Sequence, residues 1–172
     1  VDSVVYCPQL AVTQGRDPLA EAGCDVKRFR ACVPVWGISN EERRQMISVG
    51  GNLMSFDLLR SLWVAPDLSL IHSHALGRVG GIGLTIARRR KIPFVVTVHG
   101  GVYDLPEGIK RAFNAPRTRG IEWGKPFGFF LRARRVLEEA DAILTCNRRE
   151  AVLIRERHPD RRVIVQPRIA SR

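Results

Sequence analysis

Long apolar runs and paired cysteines are both missing from this sequence of 172 residues. No stretch approaches the length of a membrane-spanning helix, and none has the form of a secretory signal peptide. The four cysteines, Cys7, Cys24, Cys32 and Cys146, include no Cys-x-x-Cys pair and no spacing typical of a metal site. From this pattern we expect reduced, mostly buried thiols in a cytoplasmic protein.

Aromatic residues make up only 7% of the chain, and they do not form the pattern of an RNA-binding domain. Zinc-finger spacing and an obvious recognition helix are missing as well, so we expect no nucleic-acid partner. The hydrophobic fraction of 45% is enough for the core of one domain covering residues 1–172.

Acidic residues are outnumbered, because 28 Lys and Arg face 17 Asp and Glu and leave a formal net charge of +11. Such a charge favours anionic partners: phosphorylated substrates, nucleotides or acidic lipid. The one dense basic run, Arg88 to Lys91, lies where the C-terminus of a helix favours cations. A solvated basic surface and a dedicated polyanion site both remain open.

The most informative stretch, Leu70 to Gly101, has the pattern of a strand, a crossover helix and a second strand. The first apolar run ends at His72-Ser73-His74, and the β-branched run Phe94 to Val98 ends at His99-Gly100-Gly101. Parallel strands require such a crossover. Glycines, Gly77, Gly80 and Gly81, are expected to loosen the start of the helix between them.

Apolar runs alternate with helical segments along the whole chain, which predicts a Rossmann-like, doubly wound α/β fold with a mostly parallel sheet and helices on both faces. We expect strands near Val4, Val26, Ile71, Val96, Ile143 and Ile164. Helices are expected at Leu19 to Ala22, from Ser39, at Met54 to Val64 and at Pro126 to Ala140, and a long loop at Val102 to Gly124. Asn147 and Glu150 form a capping-box pattern for a last helix.

The histidines that follow the two central strands are the candidate functional residues. His74 and His99 lie at carboxyl ends of strands, the edge of an open α/β sheet where ligands bind. Gly100 and Gly101 permit positive φ and offer amide donors to an anionic group. Arg78, at the turn after the first strand, suits an anionic substrate, although a surface arginine at a helix start is commonplace.

A metal site is the alternative use of these histidines. His72 and His74 alternate with Ser73, so they point to the same face of the sheet and, with His99, imitate a three-histidine zinc site. No carboxylate nearby in the sequence is placed to orient the imidazoles, so we expect no metal.

Four patterns in order carry a resemblance to a known family: I-H-S-H, I-P-F-V-V-T-V-H-G-G, A-D-A-I-L-T-C-N-x-x-E and V-I-V-Q-P. Over about Ala22 to Pro167 the chain resembles the N-terminal, acceptor-side domain of retaining GT-B glycosyltransferases of family 4. The resemblance implies that His99 is the catalytic histidine beside the donor sugar, and that His74 lies on the acceptor side. Gly100, Gly101 and Arg78 are the further substrate-binding candidates.

The same resemblance implies the reaction and its partners. A hexose would pass with retention from a nucleotide-sugar, which is a substrate and not a cofactor, to a small-molecule or glycan acceptor. The donor-binding C-terminal domain is absent from these residues, so we expect the fragment alone to be inactive. A non-catalytic basic module that binds a phosphorylated ligand is the alternative function.

Some positions depart from the family pattern or add candidates. Pro8 to Gly15 holds only one glycine where the family has a Gly-Gly loop, Asn147 replaces the usual serine, and Arg168-Ile169 replaces an Asn-Gly hinge. Two acidic residues in the long loop, Asp104 and Glu107, are further candidates to act on an acceptor hydroxyl. The aromatic residues beside Lys125, Arg132, Arg134 and Arg135 suit either packing in the core or docking on an acidic membrane. We expect core packing, with Phe129 on the buried face of the helix.

Overall fold

Short apolar runs form the strands of this computed structural model, which describes residues 2–9, 18–48, 53–103 and 120–166. Its strands are β1 (Val4–Pro8), β2 (Asp25–Phe29), β3 (Val35–Trp36), β4 (Ile71–Ser73), β5 (Phe94–Val98), β6 (Ile121–Glu122), β7 (Ala142–Thr145) and β8 (Arg162–Val165). The helices are α1 (Pro18–Glu21), α2 (Asn40–Ser48), α3 (Phe56–Val64), α4 (Gly77–Arg90), α5 (Lys125–Phe130) and α6 (Arg148–Arg157). All six strands expected from the sequence are confirmed.

The central sheet is parallel throughout and has the strand order β4-β5-β7-β8. Its register places Ser73 beside Val96 and Val98 beside Thr145. β1 and β2 form a second parallel pair, and β3 with β6 forms a two-residue antiparallel pair. The fold is therefore α/β with a mostly parallel sheet, as the sequence predicts, and neighbouring strands end at one common edge.

The hydrophobic core lies between the central sheet and α4. The side chains of Ile82, Leu84 and Ile86 on the helix, and of Phe94 and Val96 on β5, are almost completely buried. The helix ends at Lys91 in the left-handed conformation, just before Pro93. This packing fixes the position of the loop that precedes α4 and of the loop that follows β5.

Two glycines of α4 have a different role from the one predicted. A Cβ atom at Gly80 would overlap the carbonyl oxygen of Ala75, and one at Gly81 would overlap that of Leu131. The expectation that these glycines loosen the start of the helix is wrong, because both lie inside the helix and are buried. They let neighbouring backbone approach α4 closely.

The helix predicted over Pro126 to Ala140 is much shorter in the structure. α5 stops at Phe130, and Arg132 adopts a positive φ of 54°, which an α-helix cannot continue through. The chain then turns back and buries Leu131, Val136, Leu137 and Ala140. The prediction that Phe129 packs in the core is also wrong, since its exposed fraction is 82%.

Other local expectations have mixed outcomes. α2 begins with the predicted capping box, in which the Ser39 amide donates to Glu42 and the Glu42 amide to Ser39 Oγ. The strands β3 and β6 were missed, because two residues give no periodic pattern. The prediction that the cysteines are mostly buried is wrong, since Cys24 and Cys32 are exposed and Cys7 and Cys146 are half-buried. Among the described residues, no helix has both the length and the apolarity needed to cross a bilayer.

Candidate active site

Two histidines meet where β4 and β5 end. His74 Nδ1 lies 3.0 Å from His99 Nε2, and the rings stack with centroids 5.2 Å apart. The ring of His72 lies 4.5 Å from that of His74, and its Nε2 is 2.7 Å from Thr97 Oγ1. The parallel pairing of β4 and β5 thus brings together three imidazoles from two segments, with His72 and His74 on the same side as their alternation predicts.

The electrostatics of the cluster favour the neutral forms of His72 and His74. Partial burial lowers the pKa of His72 and His74, and the neighbouring imidazoles lower both pKa values further. A hydrogen bond between two ring nitrogens needs a proton on one and a lone pair on the other. The tautomers of His74 and His99 are therefore coupled through their shared contact.

A cleft of about 550 Å³ opens beside this pair. His74, His99, Gly100 and Gly101 line it together with the start of α4, and apolar side chains such as Phe29 and Val98 complete its wall. Its size and its mixture of apolar wall with a few polar groups are typical of small-molecule sites.

The loop after β5 has the conformation that its glycines predict. Gly100 has a φ of 105° and Gly101 a φ of 80°, which side chains with a Cβ rarely adopt. The adjoining Tyr103 donates or accepts a 2.8 Å hydrogen bond with His158 Nε2, and the Arg157 guanidinium stacks over its ring at 4.4 Å. Both ends of this short loop are therefore held, one by the sheet and one by the end of α6.

A buried carboxylate beneath the loop was not among the candidates from the sequence. Glu150 on α6 has an exposed fraction of 0%; its Oε1 accepts from the Val102 amide at 2.9 Å, and its Oε2 lies 3.4 Å from Thr145 Oγ1. Asn147 caps α6 as expected, but the predicted return contact from Glu150 is wrong, since the Asn147 amide donates to Thr145 Oγ1. The signals in the sequence were its place at the end of the pattern A-D-A-I-L-T-C-N-x-x-E and its position three residues after Asn147.

Arg78 lies inside the protein, away from the open surface that the sequence suggests. Its exposed fraction is 2%, its Nε donates to the carbonyl oxygen of Gly124 at 3.0 Å, and its guanidinium pairs with Glu122. A Cβ at Gly124 would come within 2.5 Å of Pro34 Cγ and 2.9 Å of Arg78 Cζ, so a larger residue there would displace these neighbours. Arg78 thus clamps β6 against the start of α4, and its contact with an acceptor stays a prediction.

The remaining candidates fall in two groups. Asp104, Glu107, the glycine-poor stretch up to Gly15 and Arg168-Ile169 lie outside the described residues. Within the described ranges, no group of three or more His, Cys, Asp or Glu side chains is arranged to hold a metal ion, the three imidazoles included.

Comparison of the sequence with known proteins identifies its family. No curated protein matches the sequence. The family model described as "Glycosyl transferase 4-like domain" matches residues 1–168, which is nearly the whole chain. With the α/β fold and the histidines at the ends of its parallel strands, the chain belongs to the glycosyl transferase 4-like domain family.

Proposed function

We propose that this chain is the acceptor-side half of a retaining GT-B glycosyltransferase, which transfers a hexose from a nucleotide-sugar to a small-molecule or glycan acceptor. The observation that carries the proposal is the His74–His99 pair, which lines a cleft at the carboxyl edge of the parallel sheet. Family membership supports the reaction class, since the chain is a glycosyltransferase domain. The nucleotide-sugar is a substrate, so the proposal includes no separate cofactor.

The coupled tautomers give His99 two chemical options toward a substrate. Its Nε2 faces His74, and within the described part of the chain no hydrogen bond reaches its Nδ1. When His99 carries its proton on Nε2, Nδ1 accepts from a sugar hydroxyl; when His74 donates, Nδ1–H can donate to the departing phosphate. A donor aimed at developing negative charge stabilises the transition state more than the ground state.

A second domain is part of the proposal, because the resemblance to GT-B glycosyltransferases implies a donor-binding domain on the other side of the cleft. Glycosyl transfer requires the donor sugar and its diphosphate to be fixed against the acceptor, and this positioning lowers the barrier only when both sides are present. We therefore expect a C-terminal, donor-binding domain as the partner of this chain. The 172 residues alone should release no nucleotide from any nucleotide-sugar.

An acidic membrane surface in the cytoplasm is the other partner that we propose. Phe129 and Phe130 on α5 pack edge to face, yet their exposed fractions are 82% and 74%. Lys125 and Arg134 are exposed in the same segment and have no ion-pair partner among the described residues. A segment that exposes both aromatic rings and such cations is suited to bind the interfacial region of an anionic bilayer.

The test compares the 172-residue chain with a longer protein that carries the second domain. Each is incubated with a panel of uridine, guanosine and adenosine diphosphate hexoses, and release of the nucleoside diphosphate is measured. Release by the longer protein only is the expected result. Turnover by the chain alone would contradict the two-domain proposal, whereas phosphate-ligand binding without release by either protein would favour the non-catalytic module.

A further inference from the structure

Glu150 combines full burial with a contact to the cleft loop, and the reaction proposed above does not use it. Among the described residues the buried polar side chains are Ser55, Arg78, Thr145 and Glu150, so Glu150 is the one buried carboxylate among them. Burying a carboxylate is costly unless hydrogen bonds compensate for the lost water. The groups that Glu150 contacts must therefore compensate for the cost of its burial.

The partners of the carboxylate belong to the two loops that end at the sheet edge. Oε1 accepts from the Val102 amide at 2.9 Å, in the loop after β5. Oε2 is the acceptor for Thr145 Oγ1 at 3.4 Å, at the end of β7. Glu150 also lies in the first turn of α6, where the helix dipole stabilises a negative charge.

The position of the carboxylate relative to the glycines is equally specific. A Cβ built on Gly100 would lie 4.0 Å from Glu150 Oε2, so the carboxylate lies on the side of Gly100 toward which a side chain would project. Gly100 and Gly101 both have positive φ values. Glycine restricts its own backbone very little, so this conformation depends on contacts from neighbouring groups. The Val102 amide is committed to Glu150 and is thereby unavailable to a ligand.

We propose that Glu150 is a positioning residue, which fixes the Gly100–Val102 loop from beneath and so holds His99 and the cleft wall in their working arrangement. The proposal rests on the glycosyltransferase function for its kinetic consequence only. Glu150 is fully buried and is not part of the cleft lining, so it acts through the loop and not on the substrate. Preorganised groups lose much of their effect when their support is loosened.

The experiment first measures hydrogen exchange of the Val102 amide by NMR in the wild-type chain, Glu150→Ala and Glu150→Gln. Glutamine retains an oxygen that can accept from Val102, whereas alanine removes it. We expect exchange at Val102 to accelerate by about tenfold or more in Glu150→Ala, as for loss of about 1.4 kcal/mol, and to be largely restored in Glu150→Gln. Ser55→Ala is the matched control, because it removes another buried hydrogen-bonding side chain, at the start of α3.

The second readout is steady-state kinetics in the protein that carries both domains. Glu150→Ala should lower kcat by about tenfold with the KM for the nucleotide-sugar nearly unchanged, and Glu150→Gln should recover most of the rate. Unchanged Val102 exchange in Glu150→Ala, or equal acceleration in Ser55→Ala, would overturn the proposal. If the wild-type protein releases no nucleotide, the proposed function fails, while the exchange measurement still decides the role of Glu150.

Discussion

His74 Nδ1 and His99 Nε2 are joined by a 3.0 Å contact although 25 residues separate them in the sequence. The contact exists because β4 and β5 are adjacent and parallel, so the residues that follow them emerge at the same edge of the sheet. It leaves each ring with one nitrogen for other partners. The pair is therefore a single hydrogen-bonding unit in which the tautomer of one ring determines that of the other.

Replacing His99 by alanine should reduce kcat by about a hundredfold in the protein that carries both domains, as for the loss of one preorganised donor. The fold should be retained, because His99 is exposed at the edge of the sheet. Steady-state kinetics and circular dichroism check the two statements. A kcat within about threefold of the wild-type value, well short of the tenfold that corresponds to 1.4 kcal/mol, would remove His99 from the mechanism.

Stability should rise with pH across the range in which His72 and His74 titrate. The pKa values of His72 and His74 are lowered in the folded state, by burial first and then by neighbouring imidazoles. Between those lowered values and the ordinary value of about 6.5, the unfolded chain binds more protons than the folded chain, so acid favours unfolding.

The measurement for this prediction is the melting temperature at several pH values from mildly alkaline to mildly acidic. Wild-type protein should melt at a lower temperature on the acidic side, and a His72→Asn/His74→Asn variant should show a flatter profile. Asp141 does not interfere with this measurement. Burial alone would raise its pKa, but the hydrogen bonds from the Phe94 amide and Arg88 outweigh burial and leave the pKa lowered, so the contribution of Asp141 to stability is lost only in stronger acid. Identical pH profiles for variant and wild type would contradict the prediction.

Removing the partner of Arg78 should destabilise the fold. In Glu122→Ala the guanidinium stays buried against Gly124 but loses its carboxylate, and we expect a loss of about 1–3 kcal/mol in the free energy of unfolding. Glu41→Ala is the control, since it breaks an exposed ion pair with Arg44 and should cost about 1 kcal/mol or less. Urea denaturation of both variants measures the difference, and equal losses would argue against the clamp.

Binding to acidic vesicles should depend on the exposed phenylalanines of α5. We expect the protein to cosediment with phosphatidylcholine vesicles that contain phosphatidylglycerol, and less with phosphatidylcholine alone, because charge attraction adds to aromatic insertion. Phe129→Ser/Phe130→Ser should weaken this binding by about tenfold, as each exposed ring contributes apolar area. Higher salt should weaken it as well.

The control for the vesicle experiment is Val152→Ser on α6, which also removes an exposed apolar side chain. It should leave the binding unchanged. Equal loss in both variants, or no binding by the wild-type protein, would exclude the membrane surface as the partner of α5. A change in oligomeric state caused only by the phenylalanine substitutions would instead indicate contact between copies of the chain.

The central strands β5 and β7 were predictable because each is a short β-branched or apolar run between turn residues, a pattern typical of strands inside a parallel sheet. α4 was predictable for a similar reason, since its apolar spacing, its basic last turn and Pro93 are all local signals. The glycines at positions 100 and 101 likewise permit the positive φ values that the structure shows. Information of this kind lies within a few neighbouring residues.

What the sequence could not show depends on distant partners. Arg78 pairs with Glu122, 44 positions away, and nothing near Arg78 indicates that its charge is buried. In the sequence Glu150 has only the pattern of one half of a capping box. Its hydrogen bond from the Val102 amide, 48 positions earlier, is visible only in the structure. The short α5 likewise depends on the turn at Arg132, where the buried segment that follows overrides a favourable apolar pattern.

The anchoring of Tyr103 has a consequence for how the chain can vary in length. Tyr103 is tied to His158 just before residues 104–119, and Glu122 is tied to Arg78 just after them. The two points at which the chain leaves and re-enters the described part of the fold are therefore each fixed by a side-chain contact. Changes of chain length between these two points should therefore leave the histidine pair undisturbed, as long as the Tyr103–His158 and Arg78–Glu122 contacts are kept.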